Sequence, residues 1–542
     1  WARLGYGTDG HFLKTQGASA NPVWAAGSGG ASDIDDLSDA LVENNSIWLG
    51  NDPSGTTDTA SYSVALGTTA LDAITTGDSN TAIGYNAGTA LTTSTSNTLV
   101  GASAGAAITT GSGENVFVGN ASGSSMTTGV QNIAIGDNSL ASQTTVNGNV
   151  AVGDNAMYAN TSGDSNTGIG QTALTANTSG GANTGIGANA LDANTTASNN
   201  TAVGYLALSA NTTGGSGTAV GKSALAANTT ADGNIAVGET ALEVCTTSPS
   251  NVAVGNNALG DVTTGTGQNV GIGRYAGMQL TTGANNTFVG YYTAPSATTA
   301  ATNVGVGKSA LQALTTGGSN VAVGGSALAA TTTAASNTAV GNSAGAALTT
   351  ATSFVAVGAS AGAANTTGDR NTAIGANALD ANTTGASHTA VGHSALGACT
   401  TGGGNVAVGY NSLLTLTTGT NNVAVGVGSL KLTTTSAYNS AFGENALGAN
   451  TTGGYSTAVG YGAGAAITTA SNLTTVGYNS FTANTSGSDN VGLGKHAGLS
   501  NTTGGSNVAV GSESLRTNVS GVNNAAVGYK ALYANTANNN AA

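Results

Sequence analysis

Histidines and cysteines, the side chains best suited to metal binding and nucleophilic catalysis, are rare in this sequence. The chain of 542 residues contains four histidines and two cysteines. His388 and His393 are the closest two histidines along the chain. We predict that they are surface substitutions or replace a repeated asparagine, with a metal held by this pair as the alternative. A metal site usually needs three or four ligands, so we predict no metal. Because these residue types are scattered along the chain, we also predict no cofactor and no catalytic residue.

Acidic and aromatic side chains recur at one position of a sequence repeat. Asp137, Asp154, Glu239 and Glu444 each directly follow a recurrent glycine. Paired carboxylates can hydrolyse glycosidic bonds, but single carboxylates repeated along a chain favour a solvated ridge. Tyrosines occupy the same position in other copies of the repeat. We predict them as candidate contacts for a sugar or a protein partner, with shielding of a turn as the alternative: Tyr85, Tyr205, Tyr410 and Tyr478.

The repeat that positions these residues is a glycine preceded by Val, Ile, Leu or Phe, which recurs 28 times between Gly67 and Gly528. The interval is 17 residues except in two cases, where it is 18. Seventeen residues extend over roughly 56 Å, which accommodates two short strands and two turns, whereas a βαβ unit needs about 30 residues. Gly, Thr and Asn are also poor helix formers. The sequence therefore predicts an all-β chain, a parallel β-solenoid (β-roll) of about 28 coils of 17 residues.

Apolar side chains alternate just before each glycine, which we number as position 0 of its coil. Position −1 is Val, Ile, Leu or Phe in every coil, and position −3 is mostly Thr, Val or Ile. This alternation is typical of a short strand. We predict that the −1 side chains stack inside the coil as a core ladder, represented by Ile83, Val203, Val220, Val237, Val254 and Val340.

Asparagine occupies position −4 in 22 of the 28 coils. Identical amides stacked one above another form hydrogen-bonded ladders, so we predict a turn ladder that includes Asn80, Asn166, Asn320 and Asn507. Asparagine is also common at position +7, where the two cysteines, Cys245 and Cys399, replace it nine coils apart. That separation, about 43 Å along the axis, excludes a disulfide between them and favours two packed small residues.

Positions +4 and +7 vary together in size. Eight coils have glycine at +4, and six of these eight have a large apolar residue at +7. Where +4 is leucine, +7 is commonly asparagine. Close packing predicts such compensation between neighbouring side chains. Gly362 with Asn365 and Gly498 with Asn501 depart from it.

Charge and hydropathy limit the partners of the chain. The net charge is −14, and the ten basic residues form no stripe along the repeat. We therefore predict no nucleic-acid binding. No apolar run approaches the roughly 20 residues needed to span a bilayer, so we predict no membrane insertion.

Because positions −2 and +3 carry mostly small residues, we expect flat faces that a second copy can approach. We predict a homotrimer, with a monomeric solenoid as the alternative.

The two ends of the chain differ from the repeat. Residues 1–60 contain all three tryptophans and predict a collar or linker that caps the solenoid. Within them, residues 10–24 predict two short strands, and residues 33–43 predict one helix. Its acidic residues, Asp33, Asp35, Asp36 and Asp39, are predicted to be an ordinary solvated helix start, with Ca²⁺ binding as the alternative. Residues 61–542 form the repeat shaft. Because the sequence stops within a coil, we expect a C-terminal tip or a cleaved segment to follow.

Two resemblances add to this reading. The motif Asn-Thr-Ala-Val-Gly at residues 200–204 resembles the head repeat of trimeric autotransporter adhesins, a left-handed β-roll with slightly shorter coils. The longer pattern at 200–214 and the leader Gly-Thr-Asp-Gly-His-Phe-Leu-Lys-Thr-Gln-Gly at 7–17 resemble tail-fibre proteins of marine, cyanophage-like bacteriophages. The first resemblance implies a trimeric assembly. The second implies a fibre with other virion tail proteins as partners, a host glycan or protein bound by a tip, and a self-cleaving C-terminal chaperone.

The function that these features predict is that of a structural protein rather than an enzyme. We expect the shaft of a phage tail fibre, located on the virion, which serves adhesion to the host. A bacterial cell-surface adhesin or extracellular filament is the alternative. An ice-binding array of threonines and an enzyme are weaker alternatives. Capsid and tail genes beside this one would favour the first function, and a downstream membrane-anchor barrel would favour the second.

Overall fold

The chain is a parallel β-solenoid of about 28 turns with a spacing of about 17 residues, as the repeat predicts. A computed structural model describes residues 11–14, 23–26, 40–50 and 59–542. Over these residues the regular elements are all β-strands, without a helix. The same residues accordingly contain no helix that is long and apolar enough to cross a bilayer.

Two antiparallel strand pairs precede the repeat. Strands β1 (His11–Lys14) and β2 (Val23–Ala26) pair with each other, which confirms the two strands predicted over residues 10–24. Strands β3 (Ala40–Glu43) and β4 (Ser46–Leu49) form the second pair. The helix predicted over residues 33–43 is therefore wrong for 40–43. Residues 33–39, with the candidate Ca²⁺ ligands, lie outside the described part of the chain.

The turn between β3 and β4 explains why this segment is a hairpin. Asn44 and Asn45 both have positive φ, 50° and 61°. A two-residue turn with this geometry matches the twist of the two flanking strands, and asparagine tolerates it well. The hydrophobic residues of the segment therefore alternate along strands rather than lining one side of a helix.

The solenoid begins one turn earlier than Gly67. Strand β4 pairs in parallel with β5 (Val64–Leu66), so that Trp48 lies opposite Ala65. Trp48 thus takes position −2 of an additional turn, and its side chain is fully buried. The cap predicted for residues 1–60 therefore includes the first turn of the repeat.

The remaining strands are three residues long and pair in parallel with the next turn within each of two compact units, Trp1–Asp232 and Gly233–Ala542. In the first unit they are β6 (Thr81–Ile83), β7 (Thr98–Val100), β8 (Val116–Val118), β9 (Ile133–Ile135), β10 (Val150–Val152), β11 (Thr167–Ile169), β12 (Thr184–Ile186), β13 (Thr201–Val203) and β14 (Thr218–Val220). In the second unit they are β15 (Ile235–Val237), β16 (Val252–Val254), β17 (Val270–Ile272), β18 (Thr287–Val289), β19 (Val304–Val306), β20 (Val321–Val323), β21 (Thr338–Val340), β22 (Val355–Val357), β23 (Thr372–Ile374), β24 (Thr389–Val391), β25 (Val406–Val408), β26 (Val423–Val425), β27 (Ser440–Phe442), β28 (Thr457–Val459), β29 (Thr474–Val476), β30 (Val491–Leu493), β31 (Val508–Val510) and β32 (Ala525–Val527).

Most turns bury the same six positions, −4, −2, +3, +4, +7 and +10, while +1, +9 and −5 are the most exposed. The last turn, after Gly528, and the two turns of 18 residues depart from this pattern. Backbone bonds between turns also continue through the corners. The N–H of Leu208 donates to the carbonyl of Ala224 at 3.0 Å, and that of Thr212 donates to Thr229 at 2.9 Å. The corners are therefore as regular as the strands, which satisfies backbone groups that short strands alone would leave unpaired.

The invariant glycine at position 0 has a steric cause. Gly290 has a φ of 134°, a conformation that side-chain-bearing residues rarely adopt. A Cβ atom there would stand 2.7 Å from the carbonyl carbon of Gly307 in the next turn. Because the obstacle is backbone, it cannot move aside without separating the turns.

Packing between positions +4 and +7 follows the compensation that the sequence predicts. A Cβ atom on Gly105 would lie 2.8 Å from Cδ1 of Ile108 and 2.8 Å from Cδ2 of Leu99, at positions +7 and −2 of the same turn. The two departures, Gly362 and Gly498, face the rings of Phe354 and Phe481. Compensation therefore acts across neighbouring turns as well as within one.

Candidate functional surfaces

The asparagines at position −4 form a hydrogen-bonded ladder over runs of successive turns, which Gly217, Phe354 and Leu473 interrupt. The N–H of Asn320 donates to Oδ1 of Asn303 at 2.9 Å, and its Nδ2 donates to the carbonyl of Ala334 at 2.9 Å. Its own Oδ1 accepts the N–H of Asn337 at 3.1 Å. The predicted ladder is confirmed, but it lies inside the coil rather than on a surface turn. The four representative residues share the arrangement and are fully buried: Asn80, Asn166, Asn320 and Asn507.

A second amide ladder runs along position +7 in several consecutive turns. Nδ2 of Asn177 donates to Oδ1 of Asn160 at 3.0 Å and to the carbonyl of Gly180 at 2.9 Å. Nδ2 of Asn166, from the first ladder, donates to the same carbonyl at 2.9 Å. The sequence signal for this ladder is the recurrence of asparagine at +7, which we interpreted only as filling volume. The interior thus contains two rows of hydrogen-bonded amides, as burial of amides requires, although Oδ1 of Asn228 and Oδ1 of Asn382 have no hydrogen-bond partner.

His388 occupies position −4 and makes hydrogen bonds equivalent to those of the asparagine found there in most turns. Its Nε2 lies 2.6 Å from the carbonyl of Gly402, and its Nδ1 accepts the N–H of Asn405 at 3.3 Å. The two ring nitrogens therefore stand where Nδ2 and Oδ1 of an amide would stand. Burial lowers the pKa of His388, so the neutral ring is the form that fits.

The cysteines are buried, free and unreactive. Cys399 Sγ lies 3.7 Å from Nε2 of His388, and Cys245 Sγ donates to the carbonyl of Ser248 at 3.3 Å. Burial raises the pKa of each thiol to about 11. A thiol with such a pKa is almost entirely protonated near neutrality and is a poor nucleophile and metal ligand. Within the described residues, no group of three or more His, Cys, Asp or Glu side chains could hold a metal ion.

The apolar side chains of the strands point outward, which corrects the predicted core ladder. Position −2, mostly alanine, is the buried one, while −3 and −1 lie on the outer face of the sheet. The predicted stacking is present in both units, for example between Val203 and Val220 and between Val237 and Val254. Ile83 and Val340 are each 37% exposed, and the other four are partly exposed: Val203, Val220, Val237 and Val254.

The physical reason is the narrowness of the coil. Leucines at +4 and amides at −4 and +7 already fill the interior, so only a small side chain fits at −2. Leu99, Phe117 and Phe288 are exceptions, and each has a +4 glycine beside it. The small residues at −2 and +3 are therefore interior packing and cannot form the flat outer faces from which we predicted the homotrimer.

The outer face of the sheet is instead a continuous stripe of aliphatic and threonine side chains, which we call the aliphatic face and define as positions −3 and −1. None of the 28 turns places a charged residue at either position. In the second unit, 18 strands stacked about 4.8 Å apart make this stripe roughly 80 Å long and two side chains wide. That corresponds to on the order of 600–800 Å², more than the largest apolar patch of a typical monomer.

The tyrosines predicted as contacts are exposed, at 60% for Tyr85, 50% for Tyr205, 54% for Tyr410 and 49% for Tyr478. Where turns carry tyrosine in succession the rings stack on each other. Tyr461 and Tyr478 have centroids 5.4 Å apart at 13°. Stacked rings cover each other's faces and present their edges. Such a row suits hydrogen bonding through its hydroxyls better than stacking against sugar rings.

Other repeated polar residues have structural roles or lie in solvent. Oγ1 of Thr212, at position +8, donates to the carbonyl of Thr229 at 3.0 Å, and this bond recurs along the repeat. The +8 threonines therefore stabilise the stack instead of forming a free array. The acidic residues that follow the glycine are all exposed, as predicted for a solvated ridge: Asp137, Asp154, Glu239 and Glu444.

Comparison with known proteins does not identify the chain. No protein-family model matches it, and no curated protein matches it. Function is therefore argued from the surfaces described above. Of these, the aliphatic face has the largest apolar area, and the tyrosine edges and the solvated ridge lie beside it.

Proposed function

We propose that this chain is the shaft of an extracellular fibre, most specifically a bacteriophage tail fibre, and that it assembles as a homotrimer through the aliphatic face. The observation that carries the proposal is the absence of charge at positions −3 and −1 in all 28 turns. A sheet face that remains in water needs polar or charged side chains to stay soluble. A face whose side chains are mostly aliphatic or threonine, with no charge in any turn, is suited to burial against another surface.

A second copy of the chain is the partner that fits this face. Its turns repeat at the same strand spacing, so aliphatic rows on the two chains can interdigitate along their whole length. A partner of different construction would match only a few turns. A standard protein interface buries about 800 Å² on each side, which is close to the area that one unit alone offers.

A cyclic assembly with its axis along the stack keeps equivalent turns level and leaves no open apolar face. Three chains are the number implied by the resemblance to the trimeric autotransporter head, and each chain would contact two neighbours in a closed, self-limiting interface. The buried ladders make each turn rigid, as a shaft requires. The shaft would project a tip that binds a glycan or protein of the host, so the role is structural and not enzymatic.

Two measurements test the proposal. Sedimentation equilibrium of the full chain should give three times the mass of one chain. Replacing four successive −1 residues by lysine should lower that mass: Val340, Val357, Ile374 and Val391. The matched control places the same four charges at exposed +9 positions and should leave the trimer intact: Thr333, Thr350, Thr367 and Thr384.

The location is tested separately. An antibody raised against the repeat should label the tail fibres of virus particles in electron micrographs. Label on bacterial surfaces would support the adhesin alternative and reject the phage assignment, while a monomer in solution would reject the assembly.

A further inference from the structure

Cationic side chains cluster in three successive turns near the end of the second unit. Lys495, Arg516 and Lys530 belong to the turns of Gly494, Gly511 and Gly528. Only seven other basic residues occur in the chain, whose net charge is −14. From Gly460 onward, positions +1 and +2 hold one acidic residue, Glu513. The local charge is thus opposite to that of the whole molecule.

Glu513 holds two of these cations in place without neutralising the cluster. Its Oε1 lies 3.2 Å from a terminal guanidinium nitrogen of Arg516, and its Oε2 lies 3.7 Å from Nζ of Lys530. The ring of Tyr533 lies against the same two groups, 5.6 Å from the Arg516 guanidinium carbon and 5.5 Å from Nζ of Lys530. The side chains of Arg516 and Lys530 remain 30% and 48% exposed.

The cluster continues as a ridge of polar rings toward the preceding turns. The imidazole of His496, beside Lys495, lies 5.4 Å from the ring of Tyr478. Burial, together with the charges of Lys495 and Arg516, lowers the pKa of His496, so this ring is a neutral hydrogen-bonding group. We name the set Lys495, His496, Glu513, Arg516 and Lys530 the cationic ridge.

We propose that the cationic ridge binds an acidic polysaccharide, whose carboxylate or sulfate groups pair with Lys495, Arg516 and Lys530. Successive turns are about 4.8 Å apart, close to the advance of one sugar ring along an extended polysaccharide. Lys495, Arg516 and Lys530 occupy positions +1, +5 and +2 of three successive turns, so that each turn offers one cation to acid groups on neighbouring sugars. The planar guanidinium of Arg516 suits two oxygens of one acid group, and the edges of His496 and Tyr478 can bond to sugar hydroxyls.

Nucleic acid fits the ridge less well than a polysaccharide. Binding to DNA depends on neutralising many phosphates, and three cations on an acidic chain provide few such contacts. Each exposed ion pair is weak alone, but a polysaccharide engages several at once, and linked contacts reinforce one another. The ridge lies on the shaft itself, so this inference goes beyond the proposed fibre role and does not depend on it.

The test measures binding of the full chain to immobilised polygalacturonate and dextran sulfate, with neutral dextran as reference. We expect both anionic polymers, and not dextran, to bind, and added salt to weaken binding. The triple variant Lys495→Ala, Arg516→Ala, Lys530→Ala should bind about tenfold more weakly. The control triple Lys308→Ala, Arg370→Ala, Lys431→Ala removes the same charge elsewhere in the unit and should bind normally.

Three outcomes would overturn the inference. They are binding to the acidic polymers no stronger than to dextran, equal loss of binding in both triple variants, and binding to a DNA duplex as tight as that to polygalacturonate. Sedimentation equilibrium and circular dichroism on the same samples establish that each variant is folded and assembled. The binding measurement therefore tests the cationic ridge, and the sedimentation measurement tests the fibre assembly, each without depending on the other.

Discussion

Phe481 fills the space that a side chain at Gly498 would need, because a Cβ atom on Gly498 would stand 2.6 Å from Cζ of the ring. Both residues occupy position +4, in adjacent turns. The glycine is therefore specified by an aromatic residue in the previous turn and not by the residue at +7 of its own turn.

This pair yields a packing prediction. Gly498→Ala should destabilise the turns around it by about 1–3 kcal/mol, the usual cost of overpacking a filled core. The cost should be much smaller in a Phe481→Leu background, since leucine is the common residue at +4 and leaves room for the new methyl group. Hydrogen exchange of peptides spanning residues 477–515 measures the local free energy of opening in each variant.

Gly233→Ala is the matched control for Gly498→Ala, because Gly233 has a similar positive φ, 66° against 58°. A Cβ atom there would lie 3.9 Å from Oγ of Ser250, an ordinary contact. If the two alanine variants proved equally stable, or if Phe481→Leu gave no relief, packing across turns would not be the reason for Gly498.

The amide ladder predicts a strong effect of a single buried substitution. Asn320→Ala should cost roughly 2–4 kcal/mol locally, because it leaves the N–H of Asn337 and the carbonyl of Ala334 without the partners they have now. The exposed Asn342→Ala, one turn further along, should change stability by less than about 0.5 kcal/mol. Hydrogen exchange in the surrounding turns distinguishes the two. Equal protection in both variants would argue against a ladder that stabilises the stack.

The period and type of the fold were predictable from the sequence, but the facing of the strands was not. Seventeen-residue spacing, glycine at 0 and asparagine at −4 are visible in the sequence and determine a stacked β-coil. A three-residue strand, however, alternates equally well with −1 inside or with −2 inside, and a shift of one residue exchanges the two faces. The rule that aliphatic residues are buried selects the wrong choice, for example at Ile83 and Val340.

The informative signal was the size of position −2, which is Ala or Gly in 24 of the 28 turns. A position that is small in nearly every turn indicates a confined interior. Position −1, in contrast, accepts Val, Ile, Leu and Phe without a matching change in size at another position. The packing of Phe354 and Phe481 was unpredictable for a related reason. Phe354 contacts Gly362 from position −4 of the same turn, and Phe481 contacts Gly498 from position +4 of the previous turn. Such contacts depend on how far the corners fold back, which spacing alone does not determine.

The aliphatic face predicts which surface residues meet in the proposed trimer. Val357→Cys should form disulfide-linked dimers under mild oxidation, because equivalent −1 residues of neighbouring chains would lie close to the assembly axis. The native thiols will not interfere, since Cys245 and Cys399 are buried. Non-reducing electrophoresis measures the product.

Thr367→Cys, at an exposed +9 position, is the control and should stay monomeric on the gel. Cross-linking of Thr367→Cys in place of Val357→Cys would assign the interface to a different face. Cross-linking of neither would argue for a solenoid that does not associate along its sheet.

His388 makes the stability of its turn depend on pH. Its folded-state pKa lies below the ordinary value of 6.5 because the ring is buried, so the unfolded chain takes up a proton at higher pH than the folded chain does. The stabilisation is complete above pH 6.5 and is lost progressively as the pH falls below it. Protonation would also remove the Nδ1 acceptor for the N–H of Asn405 and place a charge beside the neutral thiol of Cys399.

His388→Asn restores the common ladder residue and should abolish this local acid sensitivity while leaving the neutral-pH stability similar. Hydrogen exchange of residues 371–422, corrected for the intrinsic pH dependence of exchange, compares the two proteins above and below pH 6.5. If both proteins open equally at acid pH, another group governs the response and the imidazole is only a spacer in the ladder.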